Sequence, residues 1–217
     1  MHREILSPDQ RRILPALVQV TAGTNFYLAG GTALALRIGH RPSVDFDWFA
    51  PSIGDPEQIL RSLTAQDLAP TVVSTGPETF YVLIETVQVS FIGYDYPLLE
   101  PIERADTTSP PLAGIADIAA MKLSAIANRG ARKDFIDLFF IIRDHIPLQR
   151  CLELFQRKYA QRDIGHIVRS LLYFADADQE PPVAINTPIS WNAIKKSLEQ
   201  ETLRLIRTSA PFPRDAS

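Results

Sequence analysis

One short stretch sets the strongest condition on the fold. Residues 29–49 read AGGTALALRIGHRPSVDFDWF: a glycine pair and a threonine, an apolar helical run, then Asp45-Phe46-Asp47 inside a hydrophobic strand. Two carboxylates one residue apart in apolar surroundings are costly unless a cation neutralises them. Side chains two apart on a strand share a face, with Cα atoms roughly 6–7 Å apart. Asp45 and Asp47 therefore converge on one region while Phe46 and Trp48 pack on the other side. A glycine turn that opens a helix offers free backbone N–H groups to an anion. Phosphate donors at one end and a carboxylate pair at the other predict a site for a metal-bound nucleotide. Mg²⁺ suits it, since that ion takes one or two carboxylates plus substrate phosphates and water. The competing reading is a pair of solvated aspartates on an edge strand.

The totals leave room for such a site. At 217 residues there is material for one large domain or two small ones with a proper core. Apolar residues make up 46% and charged residues 22%, which separates the chain from disordered sequences. The formal net charge is -3, so no global basic field advertises nucleic acid, and a polynucleotide partner needs a local basic patch. The single cysteine, Cys151, forbids an intrachain disulfide and fits a reducing compartment. Its helical, apolar surroundings predict a buried thiol rather than a nucleophile. Neither the opening MHREILSPDQRR nor any later stretch has the apolar length of a signal peptide or a membrane span. The expectation is a soluble, cytoplasmic protein with no membrane partner.

Local patterns then order the chain. Ser7-Pro8 predicts an N-cap followed by proline at the first helical position. Ile13, Leu14, Leu17 and Val18 continue that stripe to about Gly23, with a kink or a late start expected at Pro15. Phe26–Leu28 reads as a short strand, Thr32–Ile38 as a helix stopped at Gly39, and Val44–Phe49 as a strand. Asp55-Pro56 restarts a helix to about Gln66. Three β-rich runs follow, Thr71–Ser74, Phe80–Ile84 and Val87–Ile92, the last two joined tightly through Glu85-Thr86. Tyr94–Pro111 reads as a surface loop. Helices are then expected at Ile115–Asn128, Lys133–Asp144, Leu148–Ala160 and Ile164–Phe174, an acidic loop at Asp176–Pro188, and a last helix at Trp191–Ile206 before a frayed tail. The fold class is α+β: a small mixed sheet with flanking helices in residues 1–112, followed by a helical half in residues 113–217.

Three blocks resemble a known family. GGTALAL, GHR and S-V-D-F-D-W-F are similar to the first motif of the AbiEii/AbiGii-type nucleotidyltransferase toxins. These belong to the DNA-polymerase-β-like nucleotidyltransferase superfamily, whose hallmark is a Gly-Ser or Gly-Thr turn followed by Asp-x-Asp. MKLSAIANRGARKDFIDLFFII (Met121–Ile142) resembles the later motif, a Lys followed by Arg-x-Asp-x-x-Asp-Leu. SWNAIKKSLEQE (Ser190–Glu201) is similar to a C-terminal Trp-x-x-Ile/Val-Lys helix. The resemblance implies a polymerase-β-like core completed by the helical half. Gly30, Gly31 and Thr32 would hold the triphosphate, Asp45 and Asp47 would bind Mg²⁺, and Lys122 would steady the phosphates. Asp134 would complete the catalytic set with Asp137 in support. It also implies transfer of a nucleoside monophosphate from NTP to an acceptor such as RNA or a tRNA end, by a toxin restrained by a separately encoded antitoxin. The alternatives are a catalytically degraded module that binds a nucleotide or a partner, and a kinase-like phosphotransferase built from the same parts.

The residues qualify this picture in several places. If the helix reaches back past Gly130, Arg129, Arg132 and Lys133 at i, i+3, i+4 share a face able to meet a nucleotide or polynucleotide backbone, which adds Arg132 to the nucleotide-binding set. Against this, Asp134 also suits a plain helix N-terminus, and Asp137 four residues after Lys133 suits a helical ion pair. The superfamily often supplies a third carboxylate from a later strand, and in VQVSFI the position to inspect holds Ser90. Glu85 and Asp95 flank that strand off its face. His40 and Arg41 either touch a phosphate or base or lie exposed after the helix end. His2, His145 and His166 lack metal-ligand spacing. Phe135, Phe139 and Phe140 at helical spacing predict core packing.

Overall fold

The structure, a computed structural model, describes residues 1–208; the frayed tail expected after Ile206 lies outside them from position 209 on. The chain divides into two compact units: Met1–Ile118 with Ala184–Thr187, and residues 119–183 with the chain from Pro188 onward. Among the described residues no helix is long and apolar enough to cross a membrane.

The first unit begins with a capping box. Ser7 Oγ accepts from the Gln10 N–H and Gln10 Oε1 accepts from the Ser7 N–H, at 3.1 and 3.0 Å. That cap starts helix α1 at Pro8–Val20, and the helix runs through Pro15 rather than starting late. Five strands form one mixed sheet: β1 (Tyr27–Leu28), β2 (Phe46–Ala50), β3 (Pro70–Gly76), β4 (Thr79–Ile84) and β5 (Val87–Gly93). Their order is β1-β2-β5-β4-β3. The β2–β5 pair is parallel and the others antiparallel. Helix α2 (Gly30–Ile38) follows β1, and α3 (Pro56–Thr64) follows β2. Aromatic and branched rows make the inner face: Trp48 lies beside Phe91 and Phe91 beside Phe80, while Phe46 lies beside Val89 and Val89 beside Val82. All six are buried, each worth roughly 1.5–3 kcal/mol of transfer free energy. The alternate positions put Asp47, Ser90 and Tyr81 side by side on the other face.

The boundary expected near residue 112 instead falls inside helix α4 (Ile115–Arg129). The helix's first turn is tied into the first unit. Asp117 accepts from the Leu99 and Glu100 N–H groups at 3.0 Å, and Glu100 accepts from the Ala116 N–H at 3.1 Å. Likewise Asn186 returns from the later chain to bond the His40 and Gly39 carbonyls. Loop contacts of this kind carry no periodic signal in the sequence.

The second unit is helical. It holds the rest of α4 with α5 (Arg132–Asp144), α6 (Leu148–Tyr159), α7 (Gly165–Ser170), α8 (Ala175–Gln179) and α9 (Trp191–Thr208). Phe135, Phe139 and Phe140 are buried, as core packing requires. Phe135, Phe174 and Trp191 form an aromatic cluster with centroids 4.9–6.1 Å apart. Two expectations fail here. Helix α7 stops at Ser170, and the supposed loop after Asp176 begins with α8. Five residues are too few to hold a helix in isolation. Tertiary bonds supply the difference: Trp191 Nε1 and Lys195 Nζ both donate to the Asp178 carboxylate, at 2.6 and 2.8 Å. Cys151 is buried, and burial pushes its thiol up to about 12. The folded protein is expected to resist dithiobisnitrobenzoate while denatured protein reacts with one equivalent; rapid reaction of the native thiol would contradict this packing.

Candidate active site

The glycine pair is the first turn of α2 itself rather than a bend before it. Ala29 caps the helix with extended backbone and no side-chain bond, so the first-turn N–H groups have no intrahelical carbonyl to reach. Gly30 sits at φ +69°, and a Cβ there would lie 3.2 Å from Asp47 Oδ2. The Asp47 carboxylate is thus held over the positive end of the helix. At Gly31 a Cβ would come within 2.7 Å of Arg41 Nη2 and 3.3 Å of Ser43 Oγ. Both glycines exist to let charged groups approach the backbone. Gly30→Ala is expected to cost about 1–2 kcal/mol through the left-handed backbone alone and to weaken Mg²⁺–NTP binding as Asp47 shifts. Unchanged stability and NTP affinity would show that neither the conformation nor the contact matters.

Thr32 is buried, and its hydroxyl is used locally. It donates to the Asp45 carbonyl and shares a 2.8 Å hydrogen bond with Ser43 Oγ. Those bonds fasten the loop ahead of β2 to the helix start and so fix where Asp45 stands. Asp45 and Asp47 are both half-buried. The strand begins at Phe46 rather than Val44, so Asp45 stands just ahead of β2, while Asp47 alternates with the buried Phe46 and Trp48. The Asp45 carboxylate makes no hydrogen bond or ion pair with any described residue. A half-buried, unpartnered carboxylate beside a second one is a donor pair that fits Mg²⁺ completed by phosphates and water. Among the described residues no group of three or more His, Cys, Asp or Glu could hold a metal.

His40 and Arg41 are not exposed loop residues; both are buried. Gly39 ends α2 in the left-handed region, and the chain doubles back so that the Arg41 guanidinium reaches Gly31, with Nη1 donating to the Pro42 carbonyl at 2.9 Å. The sequence leaves Ser43 unmarked and Arg41 open between a phosphate contact and an exposed loop, because the placing of both depends on this reversal. Ser90 lies directly beside Asp47 in the parallel β2–β5 register. The neighbour of the aspartate strand therefore carries a buried hydroxyl where a third carboxylate was sought.

In the second unit the later motif forms a charge cluster. Lys122 Nζ lies 2.8 Å from Asp134 Oδ1 and 2.6 Å from Asp137 Oδ2. Arg129 makes a two-point contact with Asp134, Nε to Oδ2 at 2.7 Å and Nη2 to Oδ1 at 3.0 Å. Both carboxylates are fully buried and Lys122 nearly so, while Arg129 stays largely exposed. Asp134 and Asp137 at i and i+3 share one face of α5; Asp137 meets Lys122 rather than Lys133. The shared face of Arg129, Arg132 and Lys133 does not form. Gly130, at φ +58°, breaks the helix between α4 and α5. Arg132 is buried and donates to the Ala177 and Asp178 carbonyls at 2.9 and 3.2 Å, stacked 5.3 Å from the Trp191 ring centre. Its guanidinium is spent on holding α8.

Burial pushes the Asp134 carboxyl up, but Lys122 and Arg129 outweigh burial and hold it below its ordinary 3.8. The folded group therefore titrates below the unfolded one. Its contribution to stability is complete above about 3.8 and is lost as pH falls further through the folded value. In denaturant titrations the wild type is expected to lose its advantage over Asp134→Asn progressively as pH falls below about 3.8. A difference constant across that range would contradict the ionised assignment.

Comparison with known proteins bears on this arrangement. A family model described as nucleotidyl transferase AbiEii toxin, type IV TA system, matches residues 12–210. An uncharacterised protein of Aquifex aeolicus (strain VF5) is 40% identical over 181 residues, covering 81% of this chain and 86% of its own. Two solved structures share the fold. MenT4, a nucleotidyltransferase toxin of Mycobacterium tuberculosis H37Rv, superposes with TM-score 0.61 at 19% identity, over 93% of this chain and 82% of that one. A candidate nucleotidyltransferase of H. pylori gives 0.60 at 18% identity, over 90% and 92%.

Proposed function

Because the chain belongs to the AbiEii nucleotidyl transferase toxin family of type IV toxin–antitoxin systems, and so to the nucleotidyltransferases, we propose that it transfers a nucleoside monophosphate from a Mg²⁺-bound NTP to an RNA acceptor, such as a tRNA end. The observation that carries the reading is the contact between Asp47 and Gly30 beside the unpartnered Asp45. It supports a site in which the two carboxylates would bind the metal and the neighbouring helix start would bind the triphosphate. Gly30 and Gly31 would offer N–H groups to the triphosphate, with Thr32 acting through its backbone because its hydroxyl is engaged. Arg41 beside Gly31 would add charge to the same phosphates. A bound Mg²⁺ would neutralise the triphosphate and polarise the reacting phosphorus. In the transfer the acceptor hydroxyl oxygen bonds to the α-phosphorus and gives up its proton to solvent, the bond from the α-phosphorus to the bridging oxygen breaks, and pyrophosphate leaves.

Lys122 and Asp134 enter through the family's later motif, with Asp137 as the second carboxylate on Lys122. What supports a role for them is the placement of three ionisable groups where apolar side chains would serve a helix pair as well. Arg132 is left out of the nucleotide contacts, since it is buried and its Nε and Nη2 already hold the Ala177 and Asp178 carbonyls. The family also makes an antitoxin partner and a cytoplasmic setting the natural context.

Incubation with Mg²⁺, labelled NTP and total RNA tests the reading. Label from the α-phosphate on RNA is the expected outcome. Label only from the γ-phosphate would make the protein a kinase. NTP binding without either transfer would reduce it to a nucleotide-holding module, as Ser90 in place of a third carboxylate would then explain.

A further inference from the structure

The alternation that places Asp47 on one face of β2 places Phe49 there as well. Tyr27 pairs with Phe49 across β1 and β2, and their rings stack at 6.2 Å. Tyr94 meets Phe49 edge-on at 5.4 Å, and Tyr96 lies 4.8 Å from Tyr94. Beyond this aromatic file opens a cleft of about 530 Å³ lined by Asn25, Tyr27, Tyr94, Tyr96, Leu98 and Arg104, among others. Tyr96 and Leu98 are 46% and 42% exposed. Arg104 and Asn25 are exposed, and neither side chain makes a hydrogen bond or ion pair with any described residue.

We propose that this cleft binds an unpaired nucleotide of the single-stranded RNA acceptor. The proposal rests on the RNA-acceptor reading above and names where that acceptor is gripped. The exposed Tyr96, backed by the half-buried Tyr94, gives a base a stacking surface. The Asn25 amide offers a donor and an acceptor to a base edge, and the unneutralised Arg104 suits the adjoining phosphate. The volume lies in the range that encloses a small ligand. A chain of net charge -3 needs a local cation to attract a polyanion, and Arg104 supplies one. Position argues the same way: Phe49 is two residues from Asp47, roughly 6–7 Å along the strand. A strand with its end at the aspartates reaches the cleft within a few nucleotides.

Fluorescence anisotropy with a labelled single-stranded RNA decamer, without NTP or Mg²⁺, reads the cleft directly. Tyr96→Ala is expected to weaken binding about tenfold. Arg104→Gln is expected to weaken it and to flatten the slope of log affinity against log salt by about 0.7. Both variants should keep the Mg²⁺–NTP thermal shift of the wild type. Equal RNA affinity in all three proteins, as when the cleft takes a protein segment, would overturn the proposal. So would absence of RNA binding by the wild type, or loss of the NTP shift in both variants, which would assign the cleft to the donor nucleotide. The assay includes no transfer step, so it stands apart from the labelling test.

Discussion

Asp45→Asn and Asp47→Asn are each expected to lower metal-dependent transfer by about a thousandfold or more and to leave the fold in place. The loss follows from removing one of the two carboxylates proposed to hold the metal. Charge stabilisation by a bound cation is worth several kcal/mol in the transition state, and about 1.4 kcal/mol is tenfold in rate. Stability should hold because the bond from Thr32 goes to the Asp45 carbonyl, which the substitution keeps. The Asp45 carboxylate makes no bond to any described residue and lies two residues from a second carboxylate. Removing one charge relieves repulsion between them. Asp47→Asn is expected to lose slightly more, since its carboxylate faces the α2 N-terminus, an interaction worth about 0.3–1 kcal/mol. Activity assays with matched thermal melts check both statements. Two variants that melt early yet respond to Mg²⁺ as the wild type does would make the pair structural.

Asp134→Ala carries the largest expected cost in stability, about 3 kcal/mol or more by denaturant titration, because it removes one partner from a buried charge cluster. Lys122 keeps Asp137, and the largely exposed Arg129 can turn to solvent, so the loss belongs at the lower end of the usual range for broken buried pairs. The triple variant Lys122→Met, Asp134→Leu, Asp137→Leu is expected to recover most of that stability. Well-packed apolar groups replace a buried ionic cluster at little cost. Transfer activity separates structure from function here: the triple variant should be stable and inactive if Lys122 and Asp134 act on the nucleotide. A triple variant with wild-type transfer would confine the cluster to packing.

Much of the first unit is legible because its signals are local. Alternation fixes which side of β2 carries Asp47, with Asp45 one residue ahead of the strand. The Glu85-Thr86 turn fixes the β4–β5 hairpin, and the position of Ser90 then follows along β5. The glycines before an apolar run mark the start of α2 to within two residues. What cannot be read there depends on the chain returning upon itself. Arg41 meets Gly31 only because Gly39 reverses the backbone, and Ser43 reaches Thr32 by the same turn. In the second unit Arg132 looks like a surface cation in a basic run. The single left-handed residue Gly130 changes its direction, and Ala177 and Asp178 take its donors. Helix α8 has no helical period of its own, since distant bonds from Trp191 and Lys195 hold it together. The charges of Lys122, Asp134 and Asp137 were visible as a motif, but their mutual neutralisation was not, because it joins two helices across a break.

Mn²⁺ in place of Mg²⁺, followed by electron paramagnetic resonance in the presence of a non-hydrolysable NTP, tests the carboxylate pair most directly. The wild type is predicted to bind Mn²⁺ tightly only with nucleotide present, and Asp45→Asn/Asp47→Asn is predicted to lose that binding while melting like the wild type. Undiminished nucleotide-dependent Mn²⁺ binding by the double variant would contradict the assignment of Asp45 and Asp47 as the metal's ligands.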